Sequence, residues 1–173
     1  MCLTMSKGRQ AVVAVSGVKN SGKTTLIEAM LPHLTAAGLS VAVIKHDGHT
    51  FCPDDPATDT GRHFAAGACG TALFDGEKCR VVKRGSFDEN DFIPLFPEAD
   101  LILLEGFKGS CWPKLELVRA GNSEQPVCDP ATLLALVTDL PVAPDGVPTI
   151  PFGDSRAAAE LIVNHVKGGT SHD

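Results

Sequence analysis

The 173-residue sequence contains no tyrosine, a single tryptophan, and no two cysteines spaced as CxxC or as any other metal-knuckle pair. Its six cysteines therefore predict neither a disulfide framework nor a zinc finger. Cys52 with His46, His49 and His63 could form a soft-metal site. The simpler interpretation is that these are solvated loop residues and buried thiols.

The sequence also lacks an excess of basic residues and a long hydrophobic run. Fifteen basic residues stand against 21 acidic ones, a net charge of −6, which argues against a protein whose main role is to coat nucleic acid or anionic lipid. No run reaches the roughly 18 apolar residues of a membrane span, and the first ten residues lack the apolar core of a secretory signal. We expect a cytoplasmic protein that binds small molecules or proteins, and neither nucleic acid nor membrane.

The hydrophobic pattern predicts a βαβ unit near the N-terminus. Residues 11–16 form a buried strand that a glycine ends, and residues 41–45 form a second buried strand. Between them a helix begins near Lys23 and ends at Gly38, with Pro32 as a point where it can bend. Such crossovers are right-handed, so we expect the two strands to be parallel.

The rest of the chain predicts further strands and short helices. Strands are expected at residues 100–104, 115–118 and 133–137, with a hairpin around Asp75-Gly76, short helices at 59–66 and 88–96, and a final helix to about residue 166. We therefore predict one α/β domain over residues 1–173, with residues 1–9 and 168–173 as flexible tails. The expected fold has three layers, with a mostly parallel sheet, helices on both faces and an added antiparallel hairpin.

The segment GVKNSGKT, residues 17–24, matches the phosphate-binding pattern GxxxxGK[ST] and stands between the predicted strand and helix. Glycines let the backbone N–H groups turn inward around a phosphate, and the helix N-terminus adds its positive end. Lys23 would reach the β- and γ-phosphates and Thr24 would offer its hydroxyl to Mg²⁺. The predicted ligand is therefore a purine nucleoside triphosphate with Mg²⁺, held by Gly17, Lys19, Asn20, Ser21, Gly22, Lys23 and Thr24. With this motif between the first strand and helix, the predicted fold class is the three-layer P-loop NTPase fold.

Lys19 is the least informative member of this loop. Some P-loop proteins carry an additional lysine that reaches a nucleotide in a facing subunit. That lysine lies five residues before the main one, where this chain has Val18. We therefore favour Lys19 as an ordinary residue of the phosphate loop over a residue that reaches a nucleotide in a second subunit.

Carboxylates at strand ends are the candidates for metal binding and hydrolysis. Glu105 follows a buried strand, where open α/β sheets place their ligands. It could hold Mg²⁺ through water or polarise the attacking water, and its alternative is a strand-end glutamate that faces solvent. Asp47 follows the strand at 41–45 and could hold Mg²⁺ or position water, or be a plain turn residue. We name Lys23, Asp47 and Glu105 as candidate catalytic residues, and Thr24, Asp47 and Glu105 as candidate metal ligands.

Asp139 ends the strand at 133–137 and is the candidate for base recognition. An aspartate there can accept both N1–H and N2–H₂ of guanine, a pair that adenine does not present. The chain has no NKxD string, so these residues favour guanine over adenine without deciding between them.

Several strings together resemble one family. GVKNSGKTTL, VIKHDGHTF, DTGRHFAAGA, DLILLEGFKGS and KLELVR occur in this order across most of the chain. They are similar to those of the molybdopterin-guanine dinucleotide biosynthesis protein B (MobB) family. The resemblance implies a homodimeric GTP-binding protein with weak GTPase activity, which assists the molybdopterin guanylyltransferase and other molybdenum cofactor enzymes. It extends the phosphate loop to Thr25 and places Arg62, His63, Lys108 and Arg119 on one rim, where an anionic ligand could lie.

Other functions remain possible for the same loop. A small-molecule kinase would use it with lid arginines, and a GTPase metal chaperone would add His and Cys clusters. A third possibility is an adapter whose GTP-bound form docks a partner enzyme, and this merges with the family resemblance. Accordingly, whether the chain is an enzyme is open, with a slow GTPase acting as an accessory protein as the expectation.

Overall fold

The computed structural model describes residues 10–48 and 55–168 of the chain. The described residues fall into two compact units. The first comprises the residues up to His46 together with those from Phe92 onward, and the second comprises those from Asp47 to Asp91. The prediction of a single domain over residues 1–173 stays a prediction, and the predicted tails at 1–9 and 169–173 lie outside the described residues.

The first unit is built on a six-stranded sheet in which every pairing is parallel. Eight strands occur in the described chain: β1 (Ala11–Gly17), β2 (Val41–Lys45), β3 (Gly70–Phe74), β4 (Cys79–Lys83), β5 (Leu101–Glu105), β6 (Lys114–Val118), β7 (Leu133–Thr138) and β8 (Thr149–Pro151). The order in the large sheet is β2-β5-β1-β6-β7-β8. The phosphate-loop strand β1 therefore lies beside β5, the strand that ends in Glu105.

Two long helices cover one face of this sheet. They are α1 (Lys23–Ala36) and α4 (Ser155–Gly168), and α1 ends before Gly38, whose φ of +88° supplies the predicted left-handed turn. Met30, Leu34 and Ile162 are fully buried against Val13, Val15 and the other apolar residues of that face. Each such side chain contributes about 1.5–3 kcal/mol to stability through its removal from water. This face holds the larger of the two clusters of buried residues, so it supplies most of the core.

The alternate residues of β1 point to the opposite face. Ala14 packs there with Ile102 and Leu104, and the half-buried rings of Phe107 and Trp112 cover this second cluster. A short helix α3 (Glu89–Phe92) and a 3₁₀ turn (Ile93–Leu95) occupy the predicted helix at 88–96. The period of two along β1 thus supplies both faces, as expected for a strand inside a three-layer fold.

The second unit contains α2 (Asp59–Ala65) and an antiparallel hairpin of β3 and β4. The hairpin turns at Asp75-Gly76, where the Asp75 N–H donates to Lys78 O at 2.9 Å. It forms a two-stranded sheet of its own. The predicted fold class, a mostly parallel sheet with an added antiparallel hairpin, is confirmed.

Three local predictions need correction. β2 was expected to be fully buried, but it is the first strand in the sheet order, so Val43 is 38% exposed. The sequence offers Asp59 or Thr60 as the cap of the helix at 59–66, but Thr58 caps α2, since its hydroxyl accepts from the Gly61 N–H. The short strand β8 was not predicted, because a three-residue Thr-Ile-Pro segment carries no alternating pattern.

No helix in the described residues is long and apolar enough to cross a membrane.

Candidate functional site

The predicted phosphate loop joins the end of β1 to the start of α1. Gly17 and Gly22 have φ values of +137° and +100°, and Asn20 has a φ of +61°. A Cβ on Gly17 would lie 2.7 Å from Leu117 O, a backbone atom that cannot move aside. Glycine is therefore required at position 17, both for its backbone conformation and for the close approach of β6.

The Lys23 ammonium bends back over this loop. Its Nζ donates to Val18 O at 2.7 Å and to Gly17 O at 3.3 Å. Burial lowers the pKa of Lys23, and the charges of Lys45 and Lys108 lower it further, whereas Glu105 opposes them. A phosphate placed in the loop would give this ammonium an anionic partner, because the loop backbone and the start of α1 both present N–H groups there.

Glu105 and Thr24 are brought together as predicted. The Thr24 hydroxyl donates to Glu105 Oε1 at 2.7 Å, and Lys45 Nζ lies 2.8 Å from the same oxygen. Glu105 is only 7% exposed, so the interpretation that it is a solvent-facing strand-end residue is wrong. The register pairs Glu105 with Val15 on one side and Lys45 on the other, which fixes this carboxylate beside the phosphate loop.

This pair of oxygens fits the metal that the motif implies. A threonine hydroxyl and a carboxylate are hard donors, and Mg²⁺ is commonly bound through one or two protein oxygens, with phosphate and water completing its shell. In residues 10–48 and 55–168, no group of three or more His, Cys, Asp or Glu residues is arranged to hold a metal. The Thr24 hydroxyl and the Glu105 carboxylate therefore suit Mg²⁺ that a polyphosphate brings.

The other loop residues differ in exposure. Lys19, Asn20 and Thr25 are exposed, whereas Ser21 is buried and its hydroxyl has no hydrogen-bond partner. Asn122, from the loop after β6, donates through Nδ2 to Lys19 O at 3.0 Å. This contact ties the phosphate loop to a segment that the motif did not indicate.

The turn that follows Glu105 is anchored by buried side chains. Ser16 Oγ donates to Gly106 O at 2.5 Å, and the fully buried Lys114 donates through Nζ to Ser110 O at 2.6 Å. Phe107 has a φ of +51°, and its ring lies 5.7 Å from the His46 ring. The turn holds Lys108 near enough to Lys23 to lower its pKa, as Lys45 does from the end of β2. The turn and β2 therefore both contribute positive charge to the site.

Asp139 lies directly after β7 at the same sheet end as Glu105. It is two strand spacings from the phosphate loop, one from β1 to β6 and one from β6 to β7, which corresponds to about 10 Å. Its Oδ1 accepts from Ala120 N–H at 2.8 Å, and it lines a cavity of about 390 Å³ with Thr138, Leu140 and Pro151. The position suits contact with a nucleobase whose phosphates lie in the loop.

Phe152 lies close to the phosphate loop, and Arg119 lies near the Phe152 ring. A Cβ on Gly22 would be 3.4 Å from Phe152 Cζ, and the Arg119 guanidinium lies 5.6 Å from the centre of the Phe152 ring. Sequence reasoning named Arg119 only through the family resemblance, and it missed Phe152. Phe152 directly follows β8, and a position just after a strand end would have marked it as a candidate site residue. Because β8 was not predicted, this signal was missed.

The remaining predicted residues lie in the second unit or outside the described residues. Asp47 is exposed and begins the second unit, and Arg62 and His63 lie on its helix α2. Their predicted roles beside the phosphate loop stay predictions. His49 and Cys52 of the suggested soft-metal site fall outside the described residues.

Lys45 is the principal residue that sequence reasoning left without a role. In the sequence it stands at the end of the predicted strand 41–45 and within the VIKHDGHTF string, and neither gave it a role. The available signal was a lysine at the last position of a strand, and Lys45 contacts Glu105 because β2 pairs with β5 in register.

Comparison with known proteins gives a consistent result. Residues 12–139 match the model of the family described as MobB, molybdopterin guanine dinucleotide synthesis protein B. The chain is 29% identical over 164 residues to a probable molybdopterin-guanine dinucleotide biosynthesis adapter protein of Bacillus subtilis, covering 91% of this chain and 94% of that protein. It is 33% identical over 141 residues to a molybdopterin-guanine dinucleotide biosynthesis adapter protein of Haemophilus influenzae, covering 78% of each.

A solved structure supports the same assignment. The crystal structure of Bacillus subtilis MobB is 29% identical in sequence, with a TM-score of 0.71, covering 91% of this chain and 99% of that one. The family match spans the phosphate loop, the strand that ends in Glu105 and Asp139. With its phosphate loop, its parallel sheet and these relatives in agreement, the chain belongs to the MobB family.

Proposed function

We propose that this chain is a Mg²⁺-dependent GTP-binding protein that acts as a cytoplasmic adapter in the assembly of molybdopterin guanine dinucleotide. The observation that carries the proposal is the phosphate loop with Lys23 over it and Thr24 bonded to Glu105. The pathway comes from the names of the relatives, which are molybdopterin-guanine dinucleotide biosynthesis adapter proteins. The partners would be the molybdopterin guanylyltransferase and the enzymes that receive the cofactor.

The preference for GTP rests on Asp139. Its carboxylate stands about 10 Å from the loop, and the hydrogen bond from Ala120 N–H fixes Oδ1 while leaving a further lone pair on each oxygen. Guanine can donate two hydrogen bonds to such a carboxylate, a pair of donors that adenine does not present.

We further propose that hydrolysis is slow. The carboxylate that lies beside the loop and could activate water is that of Glu105, but its Oε1 already accepts from Thr24 and contacts Lys45. An oxygen that already takes part in two such contacts is poorly placed to accept a proton from an attacking water. Slow turnover suits an adapter, because the GTP-bound form then lasts long enough to dock a partner.

The proposal is tested by calorimetric titration of the purified chain with GTP and with ATP in the presence of Mg²⁺. We expect GTP to bind more tightly than ATP, and Lys23→Ala to abolish measurable binding of either, since the ammonium is the charged contact to the β- and γ-phosphates. The control is Lys167→Met, which removes one lysine from the exposed last turn of α4 and should bind as the wild type does. Unchanged affinity in Lys23→Ala would contradict the proposal.

Two further measurements separate the alternatives. Phosphate release that requires an added alcohol or acid acceptor would favour a kinase, and a stoichiometric transition metal after purification would favour a metal chaperone. We expect slow phosphate release that no acceptor changes, and no bound transition metal.

We also propose that the chain acts as a homodimer that associates through the β3–β4 hairpin. In that hairpin Leu73 is 58% exposed, Phe74 79% and Val81 61%. Apolar side chains this exposed on a two-stranded sheet mark an interaction surface. Sedimentation equilibrium should give a dimer for the wild type and a monomer for Phe74→Lys, and a dimer in both would exclude the hairpin as the interface.

A further inference from the structure

The Lys45 side chain lies beside Glu105, and the proposed function gives it no role. Its ammonium lies 2.8 Å from Glu105 Oε1, the same oxygen that accepts from the Thr24 hydroxyl at 2.7 Å. Thr24 and Glu105 are the two protein oxygens that suit Mg²⁺. A positive side chain therefore stands at the carboxylate oxygen that a divalent cation would use.

The fold fixes this arrangement. Lys45 and Glu105 are partners in the β2–β5 register, each at the last position of its strand. Glu105 is buried, whereas the Lys45 side chain is 55% exposed. The carboxylate is consequently the fixed member of the pair, and the lysine is the member that can withdraw toward solvent.

We propose that Lys45 is a tethered cation that occupies the metal's place at Glu105 when nucleotide is absent and competes there with Mg²⁺. A divalent ion bound between Thr24 and Glu105 would stand within a few ångströms of the ammonium, and like charges at that distance repel strongly where water is partly excluded. Metal binding thus requires Lys45 to leave, and an incoming terminal phosphate offers it a new anionic partner. This inference rests on the proposed function, because the metal is the one that a nucleoside triphosphate would bring.

The consequence is a metal site that binds a divalent cation weakly until the polyphosphate arrives. Without nucleotide, Lys45 neutralises the buried charge of Glu105 and free divalent cations bind poorly. With nucleotide, the two positive charges, Lys45 and Mg²⁺, divide between Glu105 and the phosphates. Lys45 is therefore a positioning residue that acts through Glu105.

The experiment measures Mn²⁺ binding to the nucleotide-free chain from the electron paramagnetic resonance signal of free Mn²⁺. Lys45→Met should bind Mn²⁺ about fivefold more tightly than the wild type, the factor expected from removal of one partly exposed charge partner of Glu105. Lys45→Arg keeps the charge and should stay within about twofold of the wild type. Lys167→Met matches the loss of one lysine at a distant exposed position and should also stay within about twofold.

The outcomes separate this inference from the function that it rests on. Equal or weaker Mn²⁺ binding by Lys45→Met, or no detectable Mn²⁺ binding by it, would overturn the inference even if GTP binds normally. Tighter Mn²⁺ binding in a chain that binds no nucleotide would support the role of Lys45 at Glu105 and refute the nucleotide proposal. Should Lys45→Met fail to fold, as judged by circular dichroism, Lys45→Gln makes the same test with a polar side chain.

Discussion

Replacement of Gly17 by alanine tests the geometry on which the whole phosphate site depends. The new Cβ would stand 2.7 Å from Leu117 O and 2.8 Å from Ser21 Oγ, and the backbone there has a φ of +137°. The unfavourable backbone conformation costs about 1–3 kcal/mol, and forcing a methyl group into a filled space costs about 1–3 kcal/mol more. We expect Gly17→Ala to lower the free energy of unfolding by roughly 2–6 kcal/mol and the melting temperature by roughly 4–24 °C.

Two other glycines separate these contributions. Gly38 has a φ of +88° but nothing within 4 Å of a Cβ, so Gly38→Ala carries the conformational cost alone, about 1–2 kcal/mol. A Cβ on Gly109 meets nothing within 4 Å and its φ is not positive, so Gly109→Ala should change stability by less than about 0.5 kcal/mol. Urea denaturation of the three variants gives the comparison. Equal losses in Gly17→Ala and Gly38→Ala would show that β6 does not approach the loop as closely as described.

Two more substitutions test the base site and the buried acid of β6. Asp139→Asn replaces one acceptor oxygen with a donor, so we expect the ratio of GTP to ATP affinity in calorimetric titrations to fall by about tenfold or more; an unchanged ratio would remove Asp139 from base recognition. Glu116 is 1% exposed and accepts from the N–H groups of Val127 at 2.6 Å and Cys128 at 3.1 Å. Glu116→Gln sets an amide donor against one of them and should cost about 1.5–3 kcal/mol in urea denaturation. Burial and, next, the Glu116 charge raise the pKa of the Cys128 thiol to about 12, so the same variant should let Cys128 react with iodoacetamide at lower pH, and an unaltered pH profile would contradict the role of that charge.

The parts of the fold that sequence predicted are those that follow a period or a motif. Residues 11–16 and 100–104 were expected as strands because their apolar runs are continuous, and both occur in the structure with a one-residue difference at their ends. Thr24 in the motif and Glu105 at a strand end were both expected as metal ligands, and the pairing of β1 with β5 brings them into contact. The local pattern is enough to place both residues at one edge of the sheet, because the carboxyl ends of parallel strands lie at the same edge.

Contacts that depend on strand order were not predictable in the same way. Nothing in the spacing of Lys45 and Glu105 indicates that β2 pairs with β5, and the ion pair follows only from that order. Lys114 and Glu116 read as the polar positions of an alternating strand, which normally face water. In the structure both are buried and bonded to loops, because this face of β6 is covered by the segments at 108–110 and 127–128.

Trp112, the single tryptophan of a chain without tyrosine, packs beside Phe107 over the second cluster. The intrinsic fluorescence of the protein therefore originates from one indole, next to the turn that carries Gly106 and Lys108. A displacement of that turn when a ligand arrives would change the wavelength or intensity of the emitted light. Stopped-flow measurements of Trp112 fluorescence could therefore follow ligand binding at the site without an attached dye.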